Sequence, residues 1–80
     1  MTVPGPTSPP DAAWDAGGLG CGELVLELRR RLRALPAGAV MHLRAEDPGA
    51  PEDLPAWCRL TGHTLLAARH PDYWIRRRPD

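Results

Sequence analysis

Trp14-Asp15-Ala16-Gly17-Gly18-Leu19-Gly20-Cys21-Gly22-Glu23-Leu24 reads as a short strand, a glycine-rich turn, a cysteine and the opening of a long amphipathic helix. Gly17, Gly18 and Gly20 permit the sharp turn with positive φ that joins strand to helix. A cysteine at the start of a helix sits among backbone N–H groups that lack an intrahelical acceptor, at the positive end of the macrodipole. Those groups favour thiolate over thiol, and the thiolate is the nucleophilic form. Cys21 is therefore the candidate reactive residue. The turn lacks the spacing of a dinucleotide fingerprint and no P-loop Lys-Ser/Thr follows, so its glycines are read as geometric rather than phosphate-binding.

Downstream, the period becomes helical from Gly22 to Leu35. Leu24, Val25, Leu28, Leu32 and Leu35 fall within an arc of about 100° and form the core face. Glu23, Glu27, Arg30 and Arg31 lie opposite, with Glu27 placed to pair with Arg30 and Arg31. Arg29 and Arg33 flank the apolar arc, and Leu26 points outward with them. These residues form either a solvated, dipole-matched face or the rim of a docking surface. Pro36-Ala37-Gly38 ends the helix.

Upstream, Ala12 to Asp15 is the strand, with Trp14 expected to be buried. Residues 1–11 hold four prolines and little to bury, so they are expected to form a disordered or polyproline-like tail ahead of a domain spanning 12–80.

Val40 to Ala45 alternates as a second strand, with Met41, Leu43 and Ala45 on one face and Val40, His42 and Arg44 on the other. His42 is expected to be solvated on an open sheet face. After the loop Glu46-Asp47-Pro48-Gly49-Ala50, Pro51 suits the first turn of a second helix running to about Thr61, with Glu52 and Asp53 matched to the dipole. Leu54, Trp57, Cys58 and Thr61 share a face, which makes Cys58 a buried, inert thiol rather than a resolving partner for Cys21. Gly62 stops the helix. His63 to Arg69 and Tyr73 to Arg78 are strands joined through Pro71-Asp72 as an antiparallel hairpin. Arg76, Arg77 and Arg78 are read as the charged surface of an edge strand.

The chain has 80 residues, enough for one domain. Its ten basic residues, all arginine, balance ten acidic ones. That balance argues against a dedicated nucleic-acid binder, and the absence of lysine excludes Schiff-base chemistry. No apolar run approaches the roughly 18 residues that span a bilayer, and no signal sequence opens the chain. A cytoplasmic location is expected, where thiols stay reduced. Cys21 and Cys58 match no zinc pattern, so no metal site is expected.

The element order is β-α-β-α-β-β. Right-handed crossovers put both helices on one face of a four-stranded mixed sheet, giving a two-layer α/β (α+β) sandwich whose other face is open. This order and these residues resemble the TusA/SirA-like family of small sulfur-carrier proteins. The likeness runs from about Trp14 to Arg78. Its landmarks are Asp15-Ala16-Gly17-Gly18-Leu19-Gly20-Cys21, Pro36-Ala37-Gly38, Glu46-Asp47-Pro48, Asp53-Leu54-Pro55 and Gly62-His63-Thr64-Leu65. The family's central motif is Cys-Pro-x-Pro; Cys21 matches its cysteine, while Gly22 and Leu24 stand where the prolines would be.

The resemblance implies a fold like the C-terminal domain of translation initiation factor three, a persulfide on Cys21 and no cofactor. It implies a cysteine desulfurase or rhodanese-like sulfur donor and a downstream acceptor protein. Whether the chain counts as an enzyme, a sulfurtransferase, is left open. The end product is open among a thiolated tRNA, a cofactor and an oxidised sulfur compound. Glu23, Leu26, Arg29, Arg33 and Asp47 are the candidate docking residues. Two other functions stay in view: a non-catalytic protein-interaction module of the same fold, and an RNA-binding module using the open sheet face. The second has few aromatics for stacking, and no direct nucleic-acid contact or membrane association is expected.

Overall fold

Alternation places Met41, Leu43 and Ala45 on the buried side of the second strand and leaves His42 and Arg44 on the other, and the rest of the sandwich is built on that strand. The structure, a computed structural model, describes residues 9–79, with Cys21 described by its backbone alone. The elements are β1 (Ala12–Gly17), α1 (Cys21–Arg33), β2 (Val40–Ala45), α2 (Ala50–Thr61), β3 (Thr64–Arg69) and β4 (Asp72–Arg76). Residues 1–8 of the expected tail lie outside the described residues. Asp11 is already tied to the sheet: its N–H donates to the Val40 carbonyl and its Oδ2 accepts the Val40 N–H, both at 2.8 Å.

The sheet is mixed and ordered β1-β2-β4-β3. β1 pairs parallel with β2, and β4 pairs antiparallel with both β2 and β3. This corrects the reading of the last strand as an edge. A hairpin must put β4 beside β3, and the α2 crossover leaves β3 running parallel to β2, so β4 fills the gap between them. β4 ends at Arg76 rather than Arg78. Arg77 still exchanges backbone hydrogen bonds with the Gly38-Ala39 segment, and the Arg78 N–H donates to His63 Nδ1 at 3.0 Å. β3 begins at Thr64, paired with Arg76, so His63 precedes the strand.

Leu24, Leu28 and Leu32 from α1, Leu54 and Cys58 from α2, and Tyr73 and Ile75 from β4 close over Met41, Leu43 and Ala45. Leu35 lies beyond the last residue of α1, yet packs against this core; its N–H donates to the Leu32 carbonyl at 3.0 Å. α2 stops at Gly62, whose φ of +87° lets its N–H reach the Cys58 carbonyl at 2.9 Å. Trp14 is half-buried rather than buried, because β1 is an outer strand. The Arg31 guanidinium covers its ring, 4.5 Å from the centroid.

The open face is more structured than the sequence suggested. His42 is half-buried: it stacks on Trp74 at 4.8 Å between centroids, and its Nε2 donates to Asp72 Oδ1 at 2.9 Å. The register explains this. His42 faces Trp74 directly across β2 and β4, and Asp72 is two residues along the same face.

Burial pushes the Cys58 thiol up to about 11 and raises the Tyr73 phenol. Both groups are neutral when protonated, so the folded chain holds protons that the unfolded chain has released at alkaline pH. Their contribution is complete at neutral pH, begins to fall near pH 9, and is lost for Cys58 by about pH 11. Denaturant unfolding at a series of pH values should show roughly 2 kcal/mol of stability disappearing across that window for Cys58 alone. Cys58→Ala should flatten that part of the profile.

Candidate functional site

Three local features deliver the chain from β1 to the start of α1. The β1–β2 register shifts between Asp15 and Gly17. The Gly17 N–H donates to Asp15 Oδ1 at 2.9 Å, and Gly17 takes a φ of +57°, which a side chain would disfavour. The Leu19 N–H then closes a turn on the Ala16 carbonyl at 3.2 Å. Gly20 caps α1 in an extended conformation with no side-chain capping bond, and Cys21 is the helix's first residue.

The first helical hydrogen bond runs from the Leu24 N–H to the Gly20 carbonyl at 2.8 Å. The amides of Cys21, Gly22 and Glu23 therefore have no acceptor within the helix. A negative charge at this position is favoured by those amides and by the helix dipole. Glu23 is exposed in the same first turn and competes for that field. Arg30, Arg31 and Arg33 sit in the last turn, complementing the opposite end.

Glu23, Leu26, Arg29 and Arg33 are all exposed and line one shallow groove on the outer side of α1, together with Trp14, Leu19 and Arg31. Leu26 keeps 64% of its surface in water. Glu27 holds Arg30 and Arg31, each at 2.9 Å, as the spacing anticipated. Asp47 does not join the groove. It is half-buried in the β2–α2 loop, where its Oδ2 accepts the Gly49 N–H at 2.9 Å and its carbonyl accepts the Ala50 N–H at 3.0 Å. That loop is tied to the α1 side by the Glu46 N–H, which donates to the Gly17 carbonyl at 2.9 Å.

Sequence reasoning missed the Trp14–Arg31 pair that walls the groove. Its signal was available in part, since Arg31 lies one turn after Glu27 on the β1 side of the helix. Cys58 is 3% exposed in the core, well separated in role from a residue at a helix start. Among the described residues, no helix is long and apolar enough to cross a membrane.

Gly22 occupies the second position of α1, and a Cβ there would meet nothing within 4 Å. Its N–H has no intrahelical acceptor to lose. Gly22→Pro is therefore expected to raise stability by about 0.5–1 kcal/mol, read by thermal unfolding, by restricting the unfolded chain. The residue before a proline is disfavoured in the helical region, so the helix start should shift by one and leave Cys21 as its cap. A drop in stability would show that the turn relies on glycine.

The family model described as Sulfurtransferase TusA matches residues 13–77. A sulfur carrier protein TusA from Pseudomonas savastanoi pv. phaseolicola is 40% identical over 74 residues, covering 88% of this chain and 88% of its own length. One from Pseudomonas putida strain GB-1 is 40% identical over 75 residues, covering 89% and 94%. Another from Pseudomonas paraeruginosa strain PA7 is 37% identical over 78 residues, covering 92% and 99%. With the four-stranded mixed sheet, the two-helix layer and a cysteine opening the first helix all in the places the resemblance required, the chain belongs to the TusA sulfurtransferase family.

Proposed function

We propose that the protein is a sulfur relay that carries a sulfane sulfur as a persulfide on Cys21. The observation that supports this most is the position of Cys21: first residue of α1, behind an extended Gly20 and ahead of amides without helical acceptors. The Cys21 thiolate attacks the outer sulfur of a donor persulfide. The donor's S–S bond breaks, its cysteine leaves as thiolate, and Cys21 becomes Cys–S–SH. The acceptor's thiolate repeats the step on Cys21. No net oxidant is needed, and no general base is required once the helix start has lowered the thiol pKa.

The donor is a cysteine desulfurase or rhodanese-like protein, and the acceptor is a second protein. Glu23, Leu26, Arg29 and Arg33 form the docking rim, because they share the exposed groove beside the helix start. Asp47 contributes by holding the neighbouring loop. The relay operates in the cytoplasm, where the thiol stays reduced.

Intact mass after incubation with a cysteine desulfurase and cysteine tests this. A gain of one sulfur, removed by reductant, is expected. An unchanged mass would turn the reading to a protein-interaction module of the same fold.

A further inference from the structure

We propose that Leu19 is a positioning residue for Cys21: its half-buried side chain anchors the glycine loop to the core and so keeps Cys21 inside the opening turn of α1. The inference rests on the reading of Cys21 as the sulfur carrier and adds the residue that holds it in place.

The opening turn of α1 has little of its own to hold it. Gly20 caps the helix without a side-chain hydrogen bond, so the stabilisation that Ser, Thr, Asp or Asn gives at this position is missing. Gly22 follows as the second helical residue, where glycine disfavours helix more than any residue but proline. One hydrogen bond, from the Leu24 N–H to the Gly20 carbonyl at 2.8 Å, closes the turn. A turn of this composition frays unless the chain entering it is fixed from outside.

The loop offers one side chain for that purpose. Gly17 is still tied to the sheet, through Asp15 Oδ1 and the Glu46 N–H, each at 2.9 Å. Beyond it, among the described residues, a Cβ at Gly18 or Gly20 would meet nothing within 4 Å, so neither position has a surface to pack on. Leu19 stands between them, half-buried and packed against the core. Its N–H reaches the Ala16 carbonyl at 3.2 Å. Its side chain also borders the groove beside Trp14, Glu23 and Leu26. Half-burying a leucine favours the docked loop over a loose one by about tenfold. A loose loop lets the first turn open, and an open turn takes Cys21 away from the unpaired amides and the helix dipole.

The test compares Leu19→Ala with Leu65→Ala. Leu65 is also half-buried against the core, but on β3, at the opposite edge of the sheet from β1. Both truncations should lower the melting temperature. Only Leu19→Ala should raise the pH midpoint of iodoacetamide labelling at Cys21 to about 8.5, the value of a free thiol. The same variant alone should speed hydrogen exchange of the Leu24 amide about tenfold. Iodoacetamide is small and needs no docking groove, so its rate reports placement of Cys21 and not partner binding. Loading of sulfur from a cysteine desulfurase should slow about tenfold as well. Leu19→Met, which conserves volume, should restore all three readouts. Leu19→Val, a smaller truncation, should fall between wild type and Leu19→Ala. Two results overturn the proposal: a wild-type midpoint and Leu24 exchange rate in Leu19→Ala, or equal shifts in Leu65→Ala. A wild-type chain that takes up no sulfur would refute the relay instead, and the labelling and exchange results would still decide whether Leu19 holds Cys21 at the helix start.

Discussion

Tyr73→Ala is expected to lower the unfolding free energy by about 4 kcal/mol, read from urea denaturation. Tyr73 has no exposed surface and is the largest fully buried side chain among the described residues. It projects from β4, which is hydrogen-bonded on both sides, into the core shared by both helices. Truncating a buried ring of this size leaves a cavity costing about 3–5 kcal/mol. A domain this small has little more than that to lose, so a large unfolded fraction is expected at room temperature. Tyr73→Phe removes only the hydroxyl that is hydrogen-bonded with His70 Nδ1 at 2.6 Å. His70 is exposed and regains a water, so that change should cost only about 1 kcal/mol. A cost below about 1.5 kcal/mol for Tyr73→Ala would mean that β4 does not carry the core.

Cys21→Ser is expected to lose all retention of sulfur, whereas Cys58→Ala should keep it. Both cysteines are thiols of one chain, and the proposed relay expects opposite behaviour of them. Cys58 sits in the core, with its thiol pushed up to about 11. At pH 7 only about one such thiol in ten thousand is ionised, and a donor's persulfide cannot reach it. Serine at position 21 preserves the helix start but offers no sulfur to attack with. Cys58→Ala keeps a small apolar group in the core, so it costs stability without touching transfer. Mass spectrometry of both variants after incubation with a desulfurase and cysteine reads the outcome. Residual sulfur on Cys21→Ser, or its loss from Cys58→Ala, would reverse the assignment.

Much of this fold was legible because it depends on local periods. The arc of Leu24, Leu28 and Leu32 specifies α1, and the alternation of Met41, Leu43 and Ala45 specifies β2; each pattern needs only its own neighbours in sequence. What was not legible depends on strand order and register. The interior place of β4 follows from how β2, β3 and β4 fit together, so Arg76, Arg77 and Arg78 read as an edge when they are not one. The His42–Trp74 stack joins residues 32 positions apart through cross-strand register alone. Asp47 was selected by its place after β2, yet its carboxylate is engaged with the Gly49 N–H. For the site, the glycine turn and the helix period together placed Cys21 at the helix start. That Glu23, Leu26, Arg29 and Arg33 share a groove followed from helical spacing, whereas the wall made by Trp14 required the packing of β1 beside α1.

The proposed relay requires Cys21 to ionise near neutral pH, which the amides without helical acceptors at the start of α1 would favour. The rate of iodoacetamide labelling at Cys21, followed by peptide mass across pH 5 to 10, measures that ionisation directly. A midpoint below about 8.5, the value of an ordinary free thiol, is expected, with Cys58 unlabelled throughout the neutral range. A midpoint at or above that value would contradict it.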